Sequence, residues 1–153
     1  MKNVLIVVDV QKDFVDGSLG TKQAQEIIPE VCRLIDDDSF DSIIVTMDTH
    51  KNDYFNTREG KYLPVTHCIE NTEGWQIDAH VSEHLKCHQE KLTVISKPTF
   101  GSEKLVELLK QRSRRSSYYV AYAQISASYP MRWLSRRHYM KRTSQWLKKP
   151  VLE

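Results

Sequence analysis

The chain has 153 residues, of which 40% are hydrophobic and 27% charged, which is typical of one soluble globular domain with a sizeable core. No apolar stretch reaches the roughly 18 residues of a membrane helix, and no signal peptide precedes the first predicted strand, so we expect a cytoplasmic protein without membrane partners. Three cysteines, Cys32, Cys68 and Cys87, make a poor disulfide framework, which also favours a reducing compartment.

Charge is divided unevenly along the chain, although the net charge is only +2. Residues 1–109 carry 11 basic and 19 acidic side chains. Residues 110–149 hold the other 11 of the 22 Lys and Arg, and no Asp or Glu. Because such a break marks a boundary, we divide the chain into a domain at 1–109 and a basic tail at 110–153.

The first third of the chain has a strand–helix–strand pattern. Residues 4–8 form an unbroken apolar run, typical of a strand buried on both faces of a parallel sheet. Apolar residues at three- and four-residue spacing predict a helix over 22–36, in which Pro29 marks a kink or the true start. Residues 42–47 predict a second strand. These lengths imply parallel pairing through a right-handed crossover.

The next segments repeat this alternation after a long loop, predicted over 51–73. A short helix is predicted over 79–85, and a third strand over 92–96. Ser102 is a candidate cap for a helix over 103–110. The pattern therefore predicts an α/β domain built on a parallel sheet.

Polar side chains follow all three predicted strands. Asp9 follows the first, Asp48 and His50 follow the second, and Lys97 follows the third. Because the carboxyl ends of parallel strands meet at one edge of a sheet, we expect these side chains to converge. An acid such as Asp9 is costly to bury unless it is paired, used in chemistry or capping the next turn.

Two of these residues also suggest a metal site. Asp48 and His50, with His67 from the following loop, offer a carboxylate and two imidazoles, a set that suits Zn²⁺, Fe²⁺ or Mn²⁺. Glu59 is a candidate fourth ligand or an orienting group for a bound water. A chance arrangement of loop residues is the alternative at this point. A solvated helix face is the favoured interpretation of three further histidines at four-residue spacing: His80, His84 and His88.

Asp9 and Lys97 suggest acid–base chemistry around a thiol. A lysine next to a carboxylate stays charged and lowers the pKa of a neighbouring thiol, while the carboxylate accepts the thiol proton and returns it to a leaving amine. The pair itself contains no thiol.

Several separate motifs resemble those of nicotinamidases in the isochorismatase-like cysteine hydrolase superfamily. In chain order they are Asp9-Val10-Gln11-Lys12-Asp13-Phe14, Asp48-Thr49-His50, Leu63-Pro64-Val65-Thr66-His67-Cys68, Gly74-Trp75 and Lys97-Pro98-Thr99-Phe100. The resemblance covers residues 1 to about 109. It implies a three-layer, doubly wound parallel sheet whose C-terminal third is incomplete or non-native in this chain.

The same resemblance implies an activity and a set of roles. It assigns catalysis to Asp9 and Lys97 and the divalent metal to Asp48, His50 and His67, with Glu59 less regularly used; Phe14 would line the pocket for the substrate ring. The activity would be the hydrolysis of nicotinamide to nicotinate and ammonia in NAD salvage, with a homo-oligomer possible. Alternatives are another amide or a vinyl ether as substrate, although isochorismatases generally lack the metal motif, and a non-catalytic remnant that binds metal and nicotinamide.

The chain departs from this family where the nucleophilic cysteine should stand, after a fourth strand, in a segment such as G-x-C-T-D-x-C-V. No cysteine follows Cys87. When the third base of each codon is read with the first two bases of the next, residues 120–133 can spell Gly-Leu-Cys-Thr-Asp-Ile-Cys-Val-Ile-Ser-Asn-Ala-Leu. In this displaced frame Tyr122 and Ala123 give Cys or Arg. We therefore predict that the chain leaves its ancestral frame between about Lys110 and Ser117.

Two other interpretations of the tail are a disordered charged extension and an aromatic-rich basic surface for nucleic acid or acidic membranes, and we favour neither over the frame change. Within the tail, weak patterns predict a strand over 118–122 and a helix over 131–147. If the frame is displaced, the chain lacks the nucleophile and is expected to be hydrolytically inactive. It also lacks the later strands and helices that would cover one side of the sheet, and we therefore expect it to be poorly soluble. Neither Cys68 nor Cys87 is placed to replace the missing cysteine.

Overall fold

A computed structural model describes residues 2–111 and 116–122. Its core is a sheet of four strands: β1 Lys2–Val8, β2 Ser42–Asp48, β3 Leu92–Lys97 and β4 Ser116–Tyr122. The strand order is β3-β2-β1-β4, and all neighbouring strands are parallel. This arrangement confirms the predicted α/β class, and β4 confirms the strand predicted over 118–122. The helix predicted over 131–147 lies outside the described residues.

Within the described residues, five α-helices accompany the sheet: α1 Lys12–Val15, α2 Lys22–Ile35, α3 Arg58–Tyr62, α4 Ala79–Lys86 and α5 Glu103–Gln111. Single 3₁₀ turns lie at Tyr54–Asn56 and Gln89–Lys91. The side chain of Thr21 accepts a hydrogen bond from Ala24 N and begins α2, which continues through Pro29. The helix therefore starts before Pro29 and not at it. None of the helices in the described part of the chain is long and apolar enough to span a bilayer.

The helices cover the two faces of the sheet and bury its alternating side chains. One core cluster joins Leu5 and Val45 to the apolar stripes of α2 and α4, including Val31 and Val81. A smaller cluster on the opposite face of the sheet joins Ile6 and the strand residues that point to the same side to the leucines of α5. The central strands β1 and β2 are buried on both faces, and this explains why their sequences are largely continuous apolar runs instead of alternating ones.

The segment between β2 and α4 differs from its prediction as one long loop. It contains a 3₁₀ turn and α3, which Thr57 caps by accepting a hydrogen bond from Gly60 N at 3.0 Å. Tyr54 is 1% exposed and donates its hydroxyl hydrogen bond to Leu63 O at 2.9 Å. These contacts order the segment through one buried ring and one cap. Neither feature produces the apolar periodicity on which a sequence-based helix prediction depends.

Candidate active site and metal centre

Three strands deliver polar side chains to the same edge of the sheet, as the sequence predicts. Asp48 and Lys97 are the last residues of β2 and β3 and are direct partners in their register. Asp9 follows β1 with a φ of 53°, in the left-handed region that is uncommon for residues other than glycine. This turn ends β1 and leaves the Asp9 carboxylate beside its neighbours. Backbone strain of this kind is concentrated at functional sites.

Lys97 bridges the two carboxylates. Its Nζ lies 2.9 Å from Asp9 Oδ2 and 3.0 Å from Asp48 Oδ1. The other oxygen of Asp9 accepts a hydrogen bond from Thr46 Oγ1 at 2.8 Å. Lys97 is 3% exposed and the two acids are buried at least as deeply, so these charges are tolerated only because they are paired.

Burial and pairing shift the pKa values of these three groups in different directions. Burial raises the pKa of Asp9, although the charge of Lys97 opposes this shift. Burial also acts to raise the pKa of Asp48, but the nearby His50 and His67 rings and Lys97 outweigh it and hold that pKa well below its usual range. Burial acts to lower the pKa of Lys97, and the two carboxylates more than compensate, so its pKa is raised. At neutral pH, Lys97 is therefore charged, Asp48 is ionised and Asp9 has the greater proton affinity of the two acids.

The predicted metal-binding residues, Asp48, His50, Glu59 and His67, also lie together and are called the metal group below. One ligand atom from each of Asp48, His50, Glu59 and His67 lies within 4.8 Å of all the others. His50 Nε2 is 3.5 Å from Asp48 Oδ2 and 4.0 Å from Glu59 Oε1, and His67 Nε2 is 3.8 Å from Asp48 Oδ2. Ligands bonded to zinc at about 2.0–2.2 Å lie roughly 3–3.5 Å apart, so the group is slightly wider than a loaded site.

The hydrogen bonding of these residues fits a cation better than it fits a closed polar cluster. Among the described residues, the buried side-chain atoms without a hydrogen-bond partner are Asp48 Oδ2, His50 Nε2 and His67 Nε2. Nδ1 of His67 lies 2.8 Å from Val65 O, which requires the proton on Nδ1 and leaves the lone pair of Nε2 available. Three converging buried polar atoms without hydrogen-bond partners are costly unless another group, such as a cation, satisfies them. The set therefore fits a divalent metal.

Local structure explains how the loop delivers these ligands. The backbone of His50 pairs with the segment that follows His67, donating to Cys68 O at 2.9 Å and accepting from Glu70 N at 2.8 Å. The ring of Tyr54 packs against both imidazoles, with centroids 4.6 Å from His50 and 5.1 Å from His67. The short helix α3 then presents Glu59, whose Oε1 lies 4.0 Å from His50 Nε2. A side chain on Gly60 would collide with the Tyr54 carbonyl, so α3 can approach this closely only with glycine there.

Phe14 packs against His67. It is 2% exposed, and its ring centroid is 5.4 Å from that of His67. Its contact with a metal-group residue agrees with a place beside the site, while its role as a wall for a substrate ring stays a prediction.

The remaining cysteines and histidines lie elsewhere or are inaccessible. Cys68 is buried with a φ of 47°, and burial with nearby carboxylates raises its thiol pKa. Cys87 is exposed on the far end of α4. His84 and His88 bind Asp36 at the end of α2, with N–O distances of 2.7 and 3.2 Å.

Sequence reasoning missed two residues that order the site. Thr46 lies within a predicted strand and donates a hydrogen bond to Asp9. The one feature of the sequence that marks it is that it is a polar residue within an apolar run. Gln11 is fully buried and bonded to the backbone of Asp48, and its one signal in the sequence is its place in the motif from Asp9 to Phe14.

The fold and site define a parallel α/β hydrolase of a known family. The family model of the isochorismatase domain matches residues 3–121, and the chain belongs to this family of hydrolases. The matched segment includes β4. A comparison with curated protein sequences finds no match.

Solved structures agree with this assignment. The zinc complex of a pyrazinamidase from Pyrococcus horikoshii is 26% identical, with a TM-score of 0.57, over 80% of this chain and 70% of that one. A nicotinamidase/pyrazinamidase from Bacillus subtilis is 23% identical, with a TM-score of 0.62, over 80% and 71%. An N-carbamoylsarcosine amidase from Thermoplasma acidophilum is 18% identical, with a TM-score of 0.56, over 78% and 67%. The last two similarities are informative about the fold alone.

Proposed function

We propose that this chain descends from a metal-dependent cysteine amidohydrolase that converts nicotinamide to nicotinate and ammonia, and that it lacks the nucleophile in its present form. One observation carries the proposal: Lys97 joins the proton-accepting Asp9 to Asp48, which also belongs to the metal group. Acid–base and cation-binding groups therefore share one site, an arrangement that suits a carboxamide attached to a metal-binding ring.

The chemistry follows from the charges of these residues. Asp9, with its raised pKa, would take the proton of an incoming thiol and return it to the departing ammonia as the sulfur–carbon bond forms and the carbon–nitrogen bond breaks. Lys97 would keep Asp9 oriented and stabilise the thiolate. A bound divalent metal, which we propose to be zinc, would supply a Lewis acid for the ring nitrogen of nicotinamide, directly or through water. Phe14 would stack near the ring, and water would then release nicotinate from the thioester.

The metal group favours nicotinamide over a vinyl ether such as isochorismate. Its unpartnered imidazole and carboxylate atoms suit a cation, whereas the isochorismatases, which hydrolyse a vinyl ether, generally lack the metal motif. We place the activity in cytoplasmic NAD salvage.

We further propose that a change of reading frame between about Lys110 and Ser117 removed the thiol. The register of β4 supports it: Tyr122 pairs with Val8, the residue before Asp9. The displaced frame places its cysteine at codons 122 and 123. The thiol of this cysteine would therefore lie next to Asp9.

The coding DNA and an activity measurement test the proposal together. We expect the displaced frame to spell the missing segment, and a chain translated in the restored frame to release ammonia from nicotinamide. The 153-residue chain should be slower by on the order of 10⁶, because removing a nucleophile from such a unit costs about as much as removing the whole set. Hydrolysis by the present chain at the restored rate, or a coding strand that does not spell the segment, would contradict it.

A further inference from the structure

Gln11 occupies a special position between the strands. It is fully buried and precedes α1, with its backbone carbonyl accepting hydrogen bonds from Phe14 N at 3.0 Å and Val15 N at 3.1 Å. Its own backbone pairs with Ile77 in an isolated antiparallel bridge. The backbone of Gln11 is therefore held both by α1 and by Ile77, and its side chain projects from this fixed position.

The Gln11 side chain uses both of its amide hydrogens and one acceptor position of its oxygen. Oε1 accepts from Asp48 N at 2.6 Å, while Nε2 donates to Asp48 O at 2.8 Å and to Trp75 O at 2.7 Å. The reversed amide would set its NH₂ group against an N–H and its oxygen against two carbonyls, so the network determines the orientation.

These bonds replace a missing part of the sheet. The pairing of β1 with β2 ends at Val8 and Thr46, and the last bond on that side runs from Asp9 N to Thr46 O at 3.1 Å. Asp9 then turns away with its positive φ, so no β1 backbone reaches Asp48. The Gln11 amide supplies the acceptor and the donor that a further strand residue would have supplied.

We propose that Gln11 is a positioning residue for the metal group: its side chain fixes the backbone of Asp48 at both its N–H and its C=O, and thereby aims the Asp48 carboxylate at His50 and His67. The inference rests on the proposed metal dependence. Asp48 is the ligand nearest to both histidines, and its two oxygens have different tasks, since Oδ1 contacts Lys97 and Oδ2 faces the imidazoles. A small rotation of this residue would disturb both tasks at once.

Zinc affinity of the full 153-residue chain tests the inference, measured by competition with a chromogenic chelator. Gln11→Met keeps the length and removes every hydrogen bond of the side chain. We expect it to bind zinc 10–100-fold more weakly, the usual loss for a group that orients a ligand. The matched control is Thr46→Val, which removes a buried hydrogen bond to Asp9 on the neighbouring side and should leave zinc affinity close to that of the unmodified chain.

The outcomes separate the two proposals. If the unmodified chain does not bind zinc, the metal dependence and this inference both fail. If it binds zinc and folded Gln11→Met binds equally tightly, only the positioning role is overturned. A merely structural role would lower the unfolding free energy of Gln11→Met equally with and without zinc, whereas a positioning role makes the loss larger with zinc.

A measurement on the unmodified chain covers the case in which Gln11→Met does not fold. The side-chain NH₂ protons of Gln11 should exchange with solvent more slowly when zinc is added, because the metal fixes the Asp48 backbone to which they are bonded. Exchange that is unchanged at saturating zinc would overturn the inference.

Discussion

Lys97 has two anionic partners, and its removal would leave both without a counter-charge. We predict that Lys97→Met lowers the free energy of unfolding at pH 7 by about 3–5 kcal/mol, since breaking a buried ion pair leaves an uncompensated buried charge. Urea unfolding followed by circular dichroism measures this loss. The exposed pair of Lys12 and Asp16, at 3.1 Å, provides the control: Lys12→Met should cost far less than Lys97→Met, because solvent screens an exposed pair.

A second substitution separates charge from packing at Lys97. Adding Asp9→Asn to Lys97→Met removes one of the two buried carboxylates that Lys97→Met leaves without a counter-charge, and it should recover part of the lost free energy of unfolding. Equal losses for the single and double variants would show that the methylene groups of Lys97, and not its charge, stabilise the fold.

The cysteines differ in reactivity for physical reasons that are visible residue by residue. Cys87 is exposed, whereas Cys32 and Cys68 are buried and burial raises the pKa of each thiol. We therefore predict that iodoacetamide at pH 8 modifies Cys87 alone in the folded chain, with the site identified by peptide mass spectrometry. Cys87→Ser should abolish the fast modification. Rapid modification of Cys68 would reopen its role as a substitute nucleophile.

Elements α2 and α4 are joined at their ends by Asp36, which binds His84 and His88. Burial acts to raise the pKa of Asp36, but the hydrogen bonds with the two histidines outweigh it and hold the pKa below its ordinary value of 3.8. A lowered folded-state pKa means that the carboxylate stabilises the fold above its unfolded-state pKa and loses this contribution as pH falls through the folded-state value.

We predict that Asp36→Asn lowers the free energy of unfolding at pH 7 by less than about 1 kcal/mol, because the groups are half exposed and screened. The difference between variant and unmodified chain should shrink to zero through the acid range below pH 4, measured by urea unfolding at a series of pH values. Asp38→Asn is the control, since Asp38 is almost fully exposed and lies at the long distance of 3.9 Å from Lys91. An acid-insensitive difference for Asp36→Asn would contradict the role of its charge.

The elements that could be predicted from sequence are those with strong periodicity or unbroken apolar runs. Residues 4–8 and 42–47 indicated β1 and β2, and the spacing of apolar residues indicated α2 nearly to its ends. The short helix α3 could not be predicted, because one cap and one buried tyrosine order it. The roles of Thr46 and Gln11 were missed for a related reason: both depend on where β1 stops pairing with β2, which is a property of the register and not of local pattern.

At the scale of the whole molecule, the site joins ligands from β2, α3 and the loop before α4, so metal binding should stabilise the folded chain. At a zinc concentration of 100 times the dissociation constant, we predict a gain in unfolding free energy of about 2.7 kcal/mol. Chelation with EDTA should remove the gain. Thermal or urea unfolding with and without zinc measures it.

Two variants localise this gain. His67→Ala removes a proposed ligand and should abolish the response to zinc, whereas His84→Ala removes a surface histidine that binds Asp36 and should retain it. A gain that survives in His67→Ala but not in His84→Ala would move the zinc site to the α2–α4 surface.

The convergence of Asp9, Asp48 and Lys97 could be predicted because parallel strands end together, and the metal group because its residue types and order resemble those of a family. The ion pairing between the two groups could not, since it depends on the direct register of Asp48 with Lys97. The division of the chain at residue 109 stays a prediction, and most of the tail beyond it lies outside the described residues.

The bridging of two acids by Lys97 also affects how such a gene would decay. Once its nucleophile is gone, selection for activity no longer protects Asp9, Asp48 or Lys97, yet losing the lysine alone would leave two buried anions and destabilise the fold. We therefore expect descendants of this sequence to retain the three charges together for as long as the protein has to remain folded, and their persistence in such a lineage would record architecture instead of enzymatic use.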